Sequence, residues 1–170
     1  MSNLRHNHAD RLSAKRARQL TRVALLLTWH TDVVPHLMNQ KTLRAVNLAW
    51  QGQGKSSVNV ILVSPEESQS LNAEWRGKDY ATNVLSFPFE LPEGFETSSL
   101  VLGDLVICPS VLLKESAEQH KSVQDHFAHL LVHGLLHLQG YDHETDVEAE
   151  EMESLEVRVL QMAGFGNPYQ

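Results

Sequence analysis

The chain has 170 residues, of which 42% are hydrophobic and 21% charged, a size and mix that suit one globular domain and exclude a fibre or a disordered chain. Its longest purely apolar stretches, such as Val23 to Leu27, fall far short of the roughly 20 residues of a transmembrane helix, so no membrane is expected as a partner. A net charge of −7 argues against coating DNA or RNA through bulk charge, because counterion release needs many clustered cations.

The N-terminal segment differs from the rest. Residues 1–22 carry six Lys or Arg against one Asp, a local net of +5, which leaves −12 for the remainder. Basic arms of this kind are mostly solvated ends, so residues 1–30 read as a flexible basic extension and residues 31–170 as a single domain. Val23 to Leu27 follows the basic residues as the core of a secretion signal would. It runs into Trp29, His30 and Asp32 without a small-residue cleavage site, and is not read as one.

Lys41 to Trp50 has an amphipathic helical pattern, and Gln51-Gly52-Gln53-Gly54 marks a turn. Val58 to Val63 reads as a strand. Ser64-Pro65-Glu66-Glu67 has the form of a capping box with proline at the first helical position, which predicts a helix over 65–75. Val84 to Phe87 is a second strand that Pro88 ends or confines to an edge. The stretch 91–99 is turn-like, and Leu100 to Ile107 is a third strand interrupted by Gly103 and Asp104. Helices are expected near 109–119, 122–138 and 145–162. This order predicts an α/β or α+β sandwich with a small sheet.

Cys108 is the only cysteine, so there is no internal disulfide framework and no cysteine-rich metal cluster. It is expected to pack in the core, and such usage fits a reducing cytoplasm. Any metal must be held by histidine or carboxylate.

Six of the ten histidines lie between His120 and His143. At about 100° per residue, His126, His129, His133 and His137 fall in an arc of roughly 80° on one helix, with Phe127, Leu131, Leu135 and Leu138 on the opposite, core-facing side. His133 and His137 are four apart, so their imidazoles can reach one ion. Gly140 suits the left-handed residue that ends a helix and lets His143 return to the same ion. Three neutral histidines leave one tetrahedral position for water, the arrangement of a catalytic zinc, which can lower the pKa of that water to about 7. Imidazole also suits nickel, copper, iron and cobalt, and zinc is the expected ion.

The spacing His-x-x-x-His-x-x-Gly-x-x-His is shared with metzincin proteases, which place the general-base glutamate directly after the first histidine. Gly134 occupies that position here, so peptide hydrolysis loses its usual proton acceptor.

The stretch His133-Gly134-Leu135-Leu136-His137-Leu138-Gln139-Gly140-Tyr141-Asp142-His143 resembles the signature of the YbeY family of bacterial metallo-endoribonucleases. Two further blocks agree, one running from Arg76 through Asn83 to Pro88 and one from Leu102 to Ile107. With Leu71-Asn72 ahead and the acidic Glu148 to Glu156 helix behind, the similarity covers about residues 56–170. The resemblance implies a zinc-dependent, single-strand-specific endoribonuclease acting in 3′-end maturation of 16S ribosomal RNA and in ribosome quality control. It implies a mostly four-stranded mixed sheet covered by about five helices, with a three-histidine zinc site at a helix end. The zinc ligands carry over to His133, His137 and His143, and the family's functional arginine to Arg76; Arg76 and His133 are the expected catalytic residues. The implied partners are single-stranded small-subunit ribosomal RNA and a small-subunit ribosomal protein. A metal-dependent hydrolase of another class and a ribosome-binding factor without turnover stand as alternatives.

Chemistry gives Arg76 a matching role, since a guanidinium holds a phosphate in bidentate fashion and meets the charge that builds during its displacement. Lys78 is a candidate for added charge on the same rim. His129 is either a partner that orients a ligand or a surface histidine. Asp142 either accepts from a ligand imidazole or stabilises the turn, and Asp104 is expected to brace its strand.

Overall fold

The computed structural model describes residues 22–28, 36–52, 55–90 and 99–170. The strands are β1 (Arg22–Thr28), β2 (Lys55–Leu62), β3 (Val84–Pro88) and β4 (Ser99–Ile107); the helices among the described residues are α1 (Gln40–Ala49), α2 (Pro65–Arg76), α3 (Pro109–Glu118), α4 (Val123–Leu138) and α5 (Asp146–Ala163). The α+β class agrees with the sequence pattern.

The sheet has the order β1-β2-β4-β3. β2 and β4 run parallel and β3 antiparallel to β4, so the sheet is mixed. β3 lies at an edge, where its terminal Pro88 interrupts no inner ladder. β1 pairs in parallel with β2, from Arg22 against Lys55 to Thr28 against Ile61. This corrects the boundary drawn at residue 30, because a strand of the sheet begins at Arg22. An unbroken apolar run such as Val23 to Leu27 is the pattern of a strand in a parallel sheet; the charge ahead of it masked that signal. Residues 1–21 and the stretch 91–98 lie outside the described residues.

Helix ends follow their local chemistry. At the start of α2, Ser64 Oγ accepts the Glu67 amide at 3.2 Å while Glu67 Oε2 accepts the Ser64 amide at 2.9 Å, the capping box in full. Thr145 and Glu148 do the same for α5. Helix α4 packs on β3 and β4 and is flanked by α1, α3 and α5. Its core side is fully apolar: Phe127, Leu131, Leu135 and Leu138 are all buried, each contributing about 1.5–3 kcal/mol relative to exposure. Cys108 is buried at the start of α3, as expected. Among the described residues no helix is long and apolar enough to cross a membrane.

Candidate metal centre

The site is built on the C-terminal half of α4 and the turn that follows. Gly140 has φ +91; its amide donates to the His137 carbonyl at 3.0 Å and the Tyr141 amide to the Leu136 carbonyl at 3.2 Å. This is the paired Schellman closure that a left-handed glycine permits. Gln139 fastens the turn from beneath: its Oε1 accepts the Gln51 amide at 2.8 Å and its Nε2 donates to Ala49 and Leu135 carbonyls, each at 3.0 Å. The chain then returns His143 to the helix end. The ring centroids of His133, His137 and His143 are 4.6, 4.9 and 5.5 Å apart, and one nitrogen from each ring lies within 4.8 Å of the others.

The outward nitrogens of two of these rings are bound to acceptors. His133 donates through Nδ1 to Glu156 Oε1 at 2.6 Å, and His137 through Nδ1 to the Tyr141 carbonyl at 2.9 Å. Neither a carboxylate nor a carbonyl donates, so both protons sit on Nδ1 and both Nε2 atoms, 3.2 Å apart, carry lone pairs when the rings are neutral. A donor set of imidazole lone pairs converging on one point, with the opposite nitrogens hydrogen-bonded, fits a divalent transition metal. Burial, followed by the charges of His133 and His143, holds the His137 pKa below its ordinary value, which favours the neutral, ligating form.

Glu156 is the residue that the sequence reading missed. It projects from α5, is fully buried, and accepts from His133, from His129 Nε2 at 2.9 Å and from the Tyr169 hydroxyl. Burial by itself would raise its pKa, but the hydrogen bonds from His129, His133 and Tyr169 outweigh that penalty and hold it at about 2. Burial and the neighbouring Glu156 carboxylate push the Tyr169 hydroxyl upward, so it stays a donor. One sequence signal existed: Glu156 falls on the helix face of Met152, Leu155, Val159, Leu160 and Ala163, all buried, and an acid at a core position requires a partner.

His129 bonds to Glu156, which also holds His133. Asp142 takes the turn role: its Oδ1 accepts the His143 amide at 2.8 Å. Asp104 accepts from Asn59 Nδ2 at 2.7 Å and braces β4 against β2. His126 leaves the group altogether and contacts Glu115 Oε2 at 2.7 Å; it sits eleven residues before His137, roughly 16 Å along the helix axis, too far to share an ion.

Gly134 is buried where α4 crosses the sheet. A Cβ there would lie 2.7 Å from Leu105 Cδ2 and 3.3 Å from Ser86 Oγ. The position after the first histidine thus faces the sheet and has no room for a carboxylate, which extends the argument against a metzincin base from sequence to packing.

Arg76, at the end of α2, and Lys78 line the same cleft as His133, His137 and His143, a volume of about 640 Å³ that is also lined by β3. Gly77 turns the chain out of α2, its amide donating to Ala73 at 3.1 Å and that of Lys78 to Asn72 at 3.2 Å. The exposed guanidinium and the three imidazoles thereby share one opening to solvent.

Residues 14–164 match the family model described as Endoribonuclease YbeY. The protein named Endoribonuclease YbeY of Alteromonas mediterranea is 54% identical over 122 residues, covering 72% of this chain and 76% of that one. Its namesake in Neisseria meningitidis serogroup A is 52% identical over 128 residues, covering 72% and 75%. The solution structure of TM1509 from Thermotoga maritima aligns with a TM-score of 0.57 at 27% identity, covering 83% of this chain and 88% of that one.

Proposed function

The chain belongs to the YbeY family of endoribonucleases, and from that membership we propose that it is a zinc-dependent enzyme cutting single-stranded RNA, acting in 3′-end maturation of 16S ribosomal RNA and in late ribosome quality control in the cytoplasm. The observation that supports the reading best is the meeting of three convergent imidazoles and one guanidinium in a single cleft. His133, His137 and His143 hold the ion. When bound, zinc supplies a Lewis acid for a phosphoryl oxygen and a source of hydroxide at neutral pH.

The protein's own groups do the rest. Glu156 and the Tyr141 carbonyl fix the tautomers of His133 and His137, so that both present Nε2 to the cleft. Arg76 takes two oxygens of the scissile phosphate and opposes the charge that develops on them in the transition state. Lys78 adds charge to the rim. Because the chain as a whole carries −7, this local cluster and a contact with a small-subunit ribosomal protein bring it to its substrate, in place of bulk attraction.

Cleavage of a labelled single-stranded RNA tests the proposal. The wild-type protein should cut it, and chelation or His133→Ala should abolish the cut with the circular dichroism spectrum unchanged. Full activity in His133→Ala would remove the central claim. Wild-type rates in Arg76→Ala would remove the phosphate clamp and leave the metal site standing. A cyclic phosphate on the product would mark attack by the RNA 2′-hydroxyl, and a 2′-deoxy substitution at the cut would then stop the reaction.

A further inference from the structure

Beside the cationic wall of the metal cleft stand two large aromatic side chains that the reaction described above does not use. Trp75 is 64% exposed and Tyr80 54% exposed, and both line the cleft with Arg76 and Lys78. We propose that Trp75 and Tyr80 form a stacking platform for the unpaired bases that flank the scissile phosphate, and so give the enzyme its preference for single strands. The inference rests on the RNA reading above and adds to it the groups that recognise the substrate's bases.

Three observations carry it. First, the Trp75 ring and the backbone that carries Tyr80 are held in place. Trp75 stands edge-to-face against Phe87 of β3, with centroids 5.8 Å apart and planes at 74°. The backbone of Tyr80 is tied by Asn72 Nδ2, which donates to its carbonyl at 2.8 Å, and by its own amide, which donates to the Lys78 carbonyl at 3.0 Å. Asp79 between them accepts from Gln69 Nε2 at 2.8 Å. A segment fixed in this way loses little freedom when a ligand settles on it, which favours binding.

Second, the cations beside the rings are available. Among the described residues neither Arg76 nor Lys78 is ion-paired. Free cations that track a phosphate backbone, interleaved with exposed aromatic faces that take bases, are the composition of a single-strand binding surface. A protein partner offering an acidic apolar patch would meet the same charges, but it would have to occupy the mouth of the metal cleft and block it.

Third, the chemistry selects between strand forms. Every unpaired base has a π-face to offer, so stacking tolerates any sequence. In a duplex those faces are already covered by neighbouring bases, and an A-form helix presents backbone and 2′-hydroxyls instead. A platform of this kind therefore discriminates against paired RNA without reading its sequence.

The test uses full-length, metal-loaded protein and a fluorogenic single-stranded RNA with a matching duplex. Trp75→Ala should raise KM for the single strand by about 10- to 100-fold, the stacking of one base, with a smaller effect on kcat, and Trp75→Phe should restore most of the loss. Tyr80→Ala should act in the same direction. Abasic nucleotides beside the cut should weaken wild-type binding, yet cost Trp75→Ala little more. If wild-type protein cleaves the strand and both alanine variants match its KM within twofold, the platform is overturned and the RNA reading stands. If those variants match wild type on naked RNA but no longer co-sediment with ribosomal particles, the patch serves a protein and the proposal again fails. If wild-type protein neither binds nor cuts the single strand, the RNA reading itself falls.

Discussion

His133 and His137 point their Nε2 atoms at each other across 3.2 Å, while each commits its Nδ1 hydrogen elsewhere, one to Glu156 and one to the Tyr141 carbonyl. Two opposed lone pairs at that distance repel, and a shared cation turns the repulsion into ligation. Burial, and after it the charges of His133 and His143, hold the His137 pKa below its ordinary value, which keeps its Nε2 lone pair free for an ion.

Metal should therefore stabilise the fold. Zinc in hundredfold excess over its Kd should add about 2.7 kcal/mol, which at this chain length raises Tm by roughly 5–10 °C. Calorimetry of chelated protein before and after zinc addition measures the shift. His137→Ala should show none; a full shift in that variant would mean that zinc binds elsewhere.

Glu156 fixes His133 from behind, so Glu156→Gln should weaken zinc binding about 10- to 100-fold, the usual loss when the partner of a ligating histidine changes. The amide keeps the volume but presents a donor where His129, His133 and Tyr169 all need an acceptor. Tyr169→Phe removes one of the three donors and should cost less. Titration calorimetry with zinc gives both values, and an unchanged Kd in Glu156→Gln would show that the carboxylate does not orient the ligand.

The parts of this site that are local in sequence were legible there. The four-residue step from His133 to His137 and the glycine needed for a left-handed turn state their geometry within a few positions, as does the box at Ser64. What depended on distant partners was not. Glu156 stands in a run of acids, and only its place among the buried residues of α5 sets it apart. His126 shares the helical arc of His133 and His137 but not their height along the axis. Strand β1 has no turn signal of its own and is defined by its pairing with β2. Arg76 carried no periodic signal at all; the role proposed for it came from the resemblance, and its place in the cleft from the turn at Gly77.

The crossing of α4 over the sheet predicts intolerance at Gly134. Gly134→Ala would push a methyl to 2.7 Å from Leu105 Cδ2, and Leu105 is itself 1% exposed with little room to give. Overpacking of this sort costs about 1–3 kcal/mol, and the shift in helix position should reach His133 and His137. Urea denaturation should show the loss, with a lower zinc affinity alongside. A variant as stable as wild type would mean that helix and sheet separate easily at this point.

Away from the metal, Glu115 joins α3 to α4 and to the segment leading into β3. Its Oε2 meets His126 Nε2 at 2.7 Å and accepts Asn83 Nδ2 at 2.9 Å, while the Asn83 carbonyl accepts the Cys108 amide at 3.0 Å. Burial by itself would raise the Glu115 pKa, but the bonds from His126 and Asn83 prevail and hold it below its ordinary value of 4.5. A carboxyl depressed in the folded state contributes stability that is present above the unfolded pKa and is lost as pH falls through the folded one. Wild-type protein should therefore lose this increment on acidification from about pH 5 downward, and Glu115→Gln should lack it at neutral pH, being less stable by about 1–3 kcal/mol. The difference between the two proteins, followed by denaturation at a series of pH values, should narrow toward acid. A gap that stays constant from neutral pH to well below 4.5 would show that the charge on Glu115 contributes nothing to the junction.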